Sequence, residues 1–249
     1  MRCKFPLLFL VTIIFLNVDA LYSQKIWTKV QKSAYVVQKK KIYQKKNFPS
    51  NYEIVSLNLN AFSTNLKSST FNLKEIIALP NSDGTFSTYS VKETSNFEAK
   101  LQAKFPNIKS YSAQGIDDPT AVAKISIGTD GFHAVIFSGK QETIYIDPYS
   151  KDKKDYIIYK RSSLRKADAD FKCQVEETVK QEFAIKDFEK NANDAKLRTY
   201  RLALACSAEY AQFHLGTSQQ NIPDTATDQV KKAAVLSAMN TSMTRINGI

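Results

Sequence analysis

The chain has 249 residues, of which 43% are hydrophobic and 11% aromatic. This composition supplies enough apolar side chain for a core and argues against wholesale disorder, and the length fits one large domain or two small ones. The formal net charge is +11, yet no aromatic repeat or RNA-binding signature accompanies it, so we predict no nucleic-acid partner.

Residues 1–23 have the pattern of an export signal. Arg2 and Lys4 form a positive start, Phe5 to Leu16 is an apolar run, and cleavage is expected before Gln24. The run is too short for a membrane span, and no other segment approaches that length. We therefore expect a secreted, extracellular product without a stable membrane span.

Residues 24–51 form a basic arm. The stretch from Lys25 to Lys46 carries eight lysines and no acidic residue. Runs of like charge repel each other, so we expect a solvated, mobile arm that contributes little to stability. Trp27 and Tyr35 leave a short helix or strand open.

Residues 52–174 predict a β-rich domain, because apolar and polar residues alternate between turn signals. Asn81 to Gly84 favours a hairpin turn, and the last strands favour a meander. The predicted strands are Tyr52–Leu59, Ile76–Pro80, Thr85–Val91, Ala121–Ile127, Phe132–Ser138, Thr143–Ile146 and Asp155–Arg161.

One short helix is predicted between the strands. Ser95 and Glu98 have the spacing of a capping box, and Phe97, Leu101 and Phe105 then share one helical face. The following segment, residues 175–196, is rich in charged residues, Asn and Ala. We interpret it as an exposed linker, helical in part, that carries the processing site.

Residues 197–249 predict a strand followed by two helices. One strand face carries Tyr200, Leu202, Leu204 and Cys206. The chain then turns at Ser207 into a short helix that ends near His214.

The second helix is predicted to start at a cap formed by Thr225 with Asp228. Its expected buried face carries Val235, Met239, Met243 and Ile246.

The segments RTYRLALACSAEYAQFH and KKAAVLSAMNTSMTRINGI resemble the start of the catalytic domain in secreted bacterial reprolysin-like zinc metalloproteinases of the metzincin group. The segments EIIALPNSDGTFSTYSVKET, LQAKFPNIKSYSAQGIDDPTAVAKISIGTDGFHAVI and TIYIDPYS resemble the propeptide of that family. The resemblance covers most of residues 54–249. It implies an α+β chain: a β-rich propeptide domain with one or two short helices, then the first strand and helix of an incomplete α/β metzincin-like catalytic domain at 197–249.

The resemblance also implies a parent zinc metalloendopeptidase that cleaves protein or peptide substrates with a zinc-bound water. Its zinc site would need His-Glu-x-x-His-x-x-Gly-x-x-His. This chain has two histidines, His133 and His214, and neither lies in such a motif. We therefore expect the chain alone to bind no zinc and to be inactive, as a partial product that folds and silences its own catalytic domain.

The resemblance implies a role for Cys173 as an inhibitory zinc ligand. A cysteine thiolate late in such a propeptide occupies the position of the catalytic water on zinc. The residues leave two alternatives open, a disulfide between Cys173 and Cys206 or a free thiol. We expect His133 to be an exposed strand residue and His214 to be a partner for the dipole at a helix C-terminus.

The sequence was also compared with the motifs of other enzyme classes and with a function that involves no catalysis. The chain has no G-x-S-x-G motif and no glycine-rich phosphate loop, and the carboxylates of Asp117 and Asp118 fit a turn before Pro119. The alternative function is a stand-alone secreted β-rich binding or interaction protein without catalysis.

Overall fold

The computed structural model describes residues 26–33, 35, 42–43, 48–67, 75–164 and 202–248. The predicted signal at 1–23 and the linker at 175–196 lie outside these ranges. Within them the strands are β1 Trp27–Lys29, β2 Glu53–Leu57, β3 Glu75–Pro80, β4 Phe86–Glu93, β5 Lys109–Gly115, β6 Val122–Gly128, β7 Gly131–Phe137, β8 Ile144–Pro148 and β9 Asp155–Lys160. The α-helices are α1 Leu59–Lys67, α2 Ala99–Lys104, α3 Ala208–Leu215 and α4 Asp228–Ile246.

All nine strands form one antiparallel sheet in the order β1-β2-β9-β8-β7-β6-β5-β4-β3. The seven strands from β3 to β9 are a continuous meander, which confirms the predicted hairpin and extends the predicted meander. The sheet coils until its two edges approach each other: the Trp27 indole N–H in β1 donates to the Ala78 carbonyl in β3 over 3.0 Å. This contact covers part of an otherwise open edge.

The interior of the coiled sheet is filled by aromatic rings packed edge to face. Trp27 contacts Phe62, Phe132 and Tyr156 with ring centroids 5.5 to 6.3 Å apart. Phe62 comes from α1, which begins after Asn58, whose side chain accepts a hydrogen bond from the Ala61 amide. Such pairs contribute about 0.5–1.5 kcal/mol each beyond the area they bury.

The basic arm is not a solvated tail throughout. Trp27 is 1% exposed in the core, and Tyr35 is buried with its hydroxyl bonded to Asp155. The prediction of a mobile arm is therefore wrong for these residues. The lysine-rich composition of the arm predicts exposure and gives no sign of these buried residues. The strand β1 is only three residues long and is anchored by one large indole rather than by a run of apolar residues.

Two local predictions are corrected in the sheet region. The helix α2 begins at Ala99, and Glu98 is its N-cap without a side-chain bond, so the Ser95 capping box does not form. The Ser95 hydroxyl instead accepts from the Phe97 amide at 3.0 Å. Of the three residues predicted to share one helical face, only Leu101 lies within α2, and Phe97, Leu101 and Phe105 are half-buried.

The predicted strand at Tyr200–Cys206 is wrong in its described part. Residues 202–207 have no strand assignment, and Leu202 and Leu204 are 66% and 48% exposed. Alternation makes a strand only when a neighbour supplies the ladder of hydrogen bonds, and none of the described strands pairs with this stretch. The helix α3 that follows is confirmed, with Ser207 as N-cap and Gly216 as C-cap.

None of the helices in the described ranges has both the length and the apolar character that crossing a bilayer requires.

Candidate functional site: a buried charge network under the C-terminal helix

The helix α4 lies across the outer face of β5, β6 and β7. The residues that it buries are small or polar: Ala234, Ser237, Ala238, Asn240, Thr241 and Thr244. The predicted apolar face is therefore wrong, and Ile246 is 59% exposed. The N-cap is Thr227, whose hydroxyl accepts from the Val230 amide, rather than Thr225.

Close approach explains why small residues were selected on this face. A Cβ atom added at Gly128, the last residue of β6, would collide with the Ser237 hydroxyl of the helix. Large side chains at this contact would lift α4 off the sheet. The helix is therefore held by hydrogen bonds between short side chains more than by apolar burial.

Asp130, in the turn between β6 and β7, is the first anchor for these bonds. The Thr241 hydroxyl donates to Asp130 Oδ2 over 2.9 Å, and the Ser237 hydroxyl donates to Oδ1. The Ser126 hydroxyl of β6 lies 3.0 Å from that of Thr241 and completes the chain of bonds. A buried carboxylate is thus solvated by hydroxyls of the helix in place of water.

His133 lies between two carboxylates, and the expectation that it is exposed is wrong. Its Nδ1 is 2.7 Å from Asp147 Oδ1, its Nε2 is 3.2 Å from Asp130 Oδ2, and its side chain is 15% exposed. The second contact is an ion pair without hydrogen-bond geometry. His133 does point away from the interior of the sheet, as alternation predicts, but α4 covers that face.

Burial is the largest influence on the pKa of His133 and lowers it, but the neighbouring charges of Asp130 and Asp147 outweigh burial and hold that pKa above its ordinary value. For Asp130 the directions are reversed. Burial is the largest influence and raises its pKa, but the charge of His133 and the hydrogen bonds from Ser237 and Thr241 together hold that pKa below its ordinary range. The two groups therefore stabilise each other in their charged forms.

Asp147 in β8 connects this pair to the end of the helix. Its Oδ1 accepts from Arg245 over 2.5 Å, and its Oδ2 accepts from the Tyr159 hydroxyl over 2.6 Å. The Arg245 guanidinium also lies over the Tyr145 ring, 5.7 Å from its centroid. The cluster therefore pairs two buried carboxylates with two cations, one of which the helix brings.

A second set of bonds fixes the other side of the helix. The Asn96 amide donates to Asn240 and Thr244, each over 2.9 Å, and its carbonyl accepts from Asn247 over 2.9 Å. The loop before α4 is also tied down: the Gln220 amide donates to the Ala234 carbonyl, and its Oε1 accepts from Thr129 in the β6–β7 turn, both over 2.7 Å.

These residues do not assemble a zinc site. No group of three or more His, Cys, Asp or Glu side chains suited to a metal occurs in the described ranges. Each ring nitrogen of His133 already faces a carboxylate. His214 stands in the last turn of α3 against Tyr210, with ring centroids 4.4 Å apart, and burial lowers its pKa. Its interaction with the helix dipole stays a prediction.

The remaining sequence candidates fall outside this cluster. Cys173 lies outside the described residues and Cys206 is exposed, so zinc ligation, the disulfide and a free thiol all stay predictions. Asp117 and Asp118 occupy a turn, as predicted. The hydrogen bond from the Ser138 hydroxyl, and to a lesser extent that from the Thr120 hydroxyl, lowers the pKa of Asp118 to about 2.

Sequence reasoning missed Asp130, Asp147 and Arg245. The available signal was the spacing of Ser237, Thr241 and Thr244, which places hydroxyls at i, i+4 and i+7 on one helix face.

No family model, curated protein or solved structure matches this chain.

Proposed function

We propose that the chain comprises the export signal, the propeptide and the first catalytic-domain elements of a secreted reprolysin-like zinc metalloendopeptidase. In this proposal the basic arm at 24–51 and the propeptide domain at 52–174 form a folding and latency module. The sequence resemblance suggests the family. The observation that supports the role is the way in which α4 rests on the sheet.

The sheet has a complete core of its own. Trp27, Phe132 and Tyr156 are buried inside it together with Phe62 from α1, and none of this packing involves α4. A helix that belongs to a permanent core buries a broad apolar stripe. The helix α4 buries Ala, Ser, Asn and Thr instead, in the manner of interfaces between separable domains, which are more polar than cores.

A polar interface of this kind suits a propeptide that assists the folding of the domain attached to it. It orients the first helix of a following domain through directional bonds while that domain forms, and it separates at a modest cost once the connection is cut. The zinc and the catalytic water would belong to the parent's catalytic domain. No catalytic step is assigned to a residue of this chain.

The first test is the reading frame downstream of the codon for Ile249. A frame that continues into His-Glu-x-x-His supports the proposal, and a stop codon there contradicts it and favours a stand-alone β-rich binding protein. If the frame continues, the full protein should be expressed with and without residues 24–174. We expect zinc-dependent peptidase activity to be recovered from the folded protein only when the propeptide was present during folding. Equal recovery without it would contradict this role in folding.

A further inference from the structure

We propose that the docking of α4 on the sheet is controlled by the protonation of His133: the helix is held while the imidazole is charged and loosens when the imidazole loses its proton. The use of this device, release of the propeptide, rests on the proposed function. The linkage itself is a property of the described residues.

The positions of the two carboxylates beside the ring favour the doubly protonated, charged imidazole. Nδ1 faces Asp147 at 2.7 Å and Nε2 faces Asp130 at 3.2 Å. A neutral imidazole has one N–H and one lone pair, so deprotonation turns a lone pair toward one of the carboxylates. The carboxylates of Asp130 and Asp147 then lose the cation that lies between them, and only the attraction of Arg245 for Asp147 and of Lys153 for Asp130 remains among the described cations.

The groups that surround His133 come from every element packed near it, and none of them replaces its charge. Arg245 of α4 is occupied by Asp147. Lys153, in the β8–β9 turn, donates to the Thr129 carbonyl over 2.5 Å, and burial lowers its pKa. Other titratable neighbours among the described residues are Tyr159 of β9, which bonds to Asp147, and His214 of α3, whose pKa burial lowers. Burial raises the pKa of each of the tyrosines that interact with Asp130, which are Tyr43, Tyr156 and Tyr210.

Docking and protonation are coupled because the helix excludes water from the same carboxylates. Ser237 and Thr241 of α4 bond to Asp130, and Arg245 bonds to Asp147. Exclusion of water makes the charged imidazole more costly by itself, but it also strengthens the attraction of Asp130 and Asp147 for that charge. The attraction outweighs the cost in the docked state, so the neutral form of His133 is penalised most when the helix is docked. Reciprocity then requires that a protonated His133 favours docking.

The sign of the pH dependence follows from the direction of the two shifts. The pKa of His133 is raised, so its contribution is fully present below its ordinary value of about 6.5 and is lost as pH rises through the higher docked value. The pKa of Asp130 is lowered, so its contribution is present above about 3.9 and is lost as pH falls through the lower docked value. Docking is therefore tightest in mildly acidic solution and weakens as the solution becomes alkaline.

The test uses the two histidines of the full chain, whose imidazole nitrogen resonances are assigned by His214→Gln and His133→Gln. Below about pH 6.5 we expect both ring nitrogens of His133 to be protonated, because its pKa is raised. The helix is then displaced with Ala238→Arg, at a position buried against the sheet, and the control is Val230→Arg, at an exposed position on the same helix.

Displacement should lower the titration midpoint of His133, and each unit of that shift corresponds to about a tenfold change in the docking equilibrium. The control should leave the midpoint in place. Equal midpoints in both variants, with the resonances of the sheet retained, would overturn the coupling.

A second measurement covers the case in which Ala238→Arg fails to fold. Hydrogen exchange of the α4 amides, corrected for intrinsic rates, should lose protection as the pH rises above about 6.5 in the natural chain and in His214→Gln. The same pH dependence in His133→Gln would overturn the proposal. Because these measurements need no protease activity, a stop codon after Ile249 would defeat the proposed function and leave this inference standing.

Discussion

At the scale of single residues, the site depends on pairing buried charges across an interface. Asp147 connects the two cations of the cluster, since it meets His133, Arg245 and Tyr159. Pattern reasoning placed His133 on the outer face of its strand but could not show that a helix distant in sequence covers that face. The partners Asp130 and Asp147 follow from tertiary contacts rather than from any local motif.

We predict that Asp147→Asn destabilises the folded chain by about 2–4 kcal/mol, because it removes the carboxylate that nearly buried His133 shares with the partly exposed Arg245. Urea unfolding at pH 6 measures the change. The control is Asp224→Asn in the exposed loop before α4, which should alter stability by about 0.5 kcal/mol or less. Equal effects of the two substitutions would show that the cluster contributes nothing specific.

Gly128 gives a prediction about close approach. In Gly128→Ala the new Cβ collides with the Ser237 hydroxyl, so the helix is displaced, and we expect a loss of about 1–3 kcal/mol. Adding Ser237→Ala removes the colliding oxygen and should recover part of that loss. A double variant no more stable than Gly128→Ala, in the same denaturation measurement, would contradict this account.

At the scale of elements, the sequence predicts a strand well where a short, mainly apolar run lies between turns, as in Asp155–Lys160 and Gly131–Phe137. It misses β5, because Tyr111 and Ala113 are the only apolar residues of that strand and pack in the interior core, whereas Ser110 is buried on the opposite face. It misses α1 and β1 because each is short and fixed mainly by one aromatic side chain in the core.

The strand β1 yields a test of the corrected view of the basic arm. We expect Trp27→Ala to cost about 3–5 kcal/mol, since it leaves a large cavity among Phe62, Phe132 and Tyr156. Thermal and urea unfolding measure it. Thr28→Ala, which changes the exposed neighbour, is the matched control and should shift stability by about 0.5 kcal/mol or less. A Trp27→Ala protein as stable as the control would restore the picture of a solvated arm.

At the scale of the whole molecule, the β-rich antiparallel part of the predicted α+β fold is confirmed, with a few helices around it. The metzincin-like character of residues 197–249 stays a proposal. The two parts differ in how they are held: the sheet has an aromatic core with many long-range contacts, whereas α4 is attached through hydroxyls, amides and ion pairs. The strand patterns and turn residues of the sequence predict the sheet, but no sequence pattern predicts which residues of α4 contact which residues of the sheet.

The measurement that tests the separable interface most directly is native-state hydrogen exchange of the full chain in low, increasing denaturant. We predict that the amides of α4 exchange through an opening with a lower free energy and a smaller denaturant dependence than those of β6 to β9, while the sheet stays protected. Exchange of α4 and the sheet with the same free energy and the same denaturant dependence would mean that the helix belongs to a single cooperative core, and that would contradict the account.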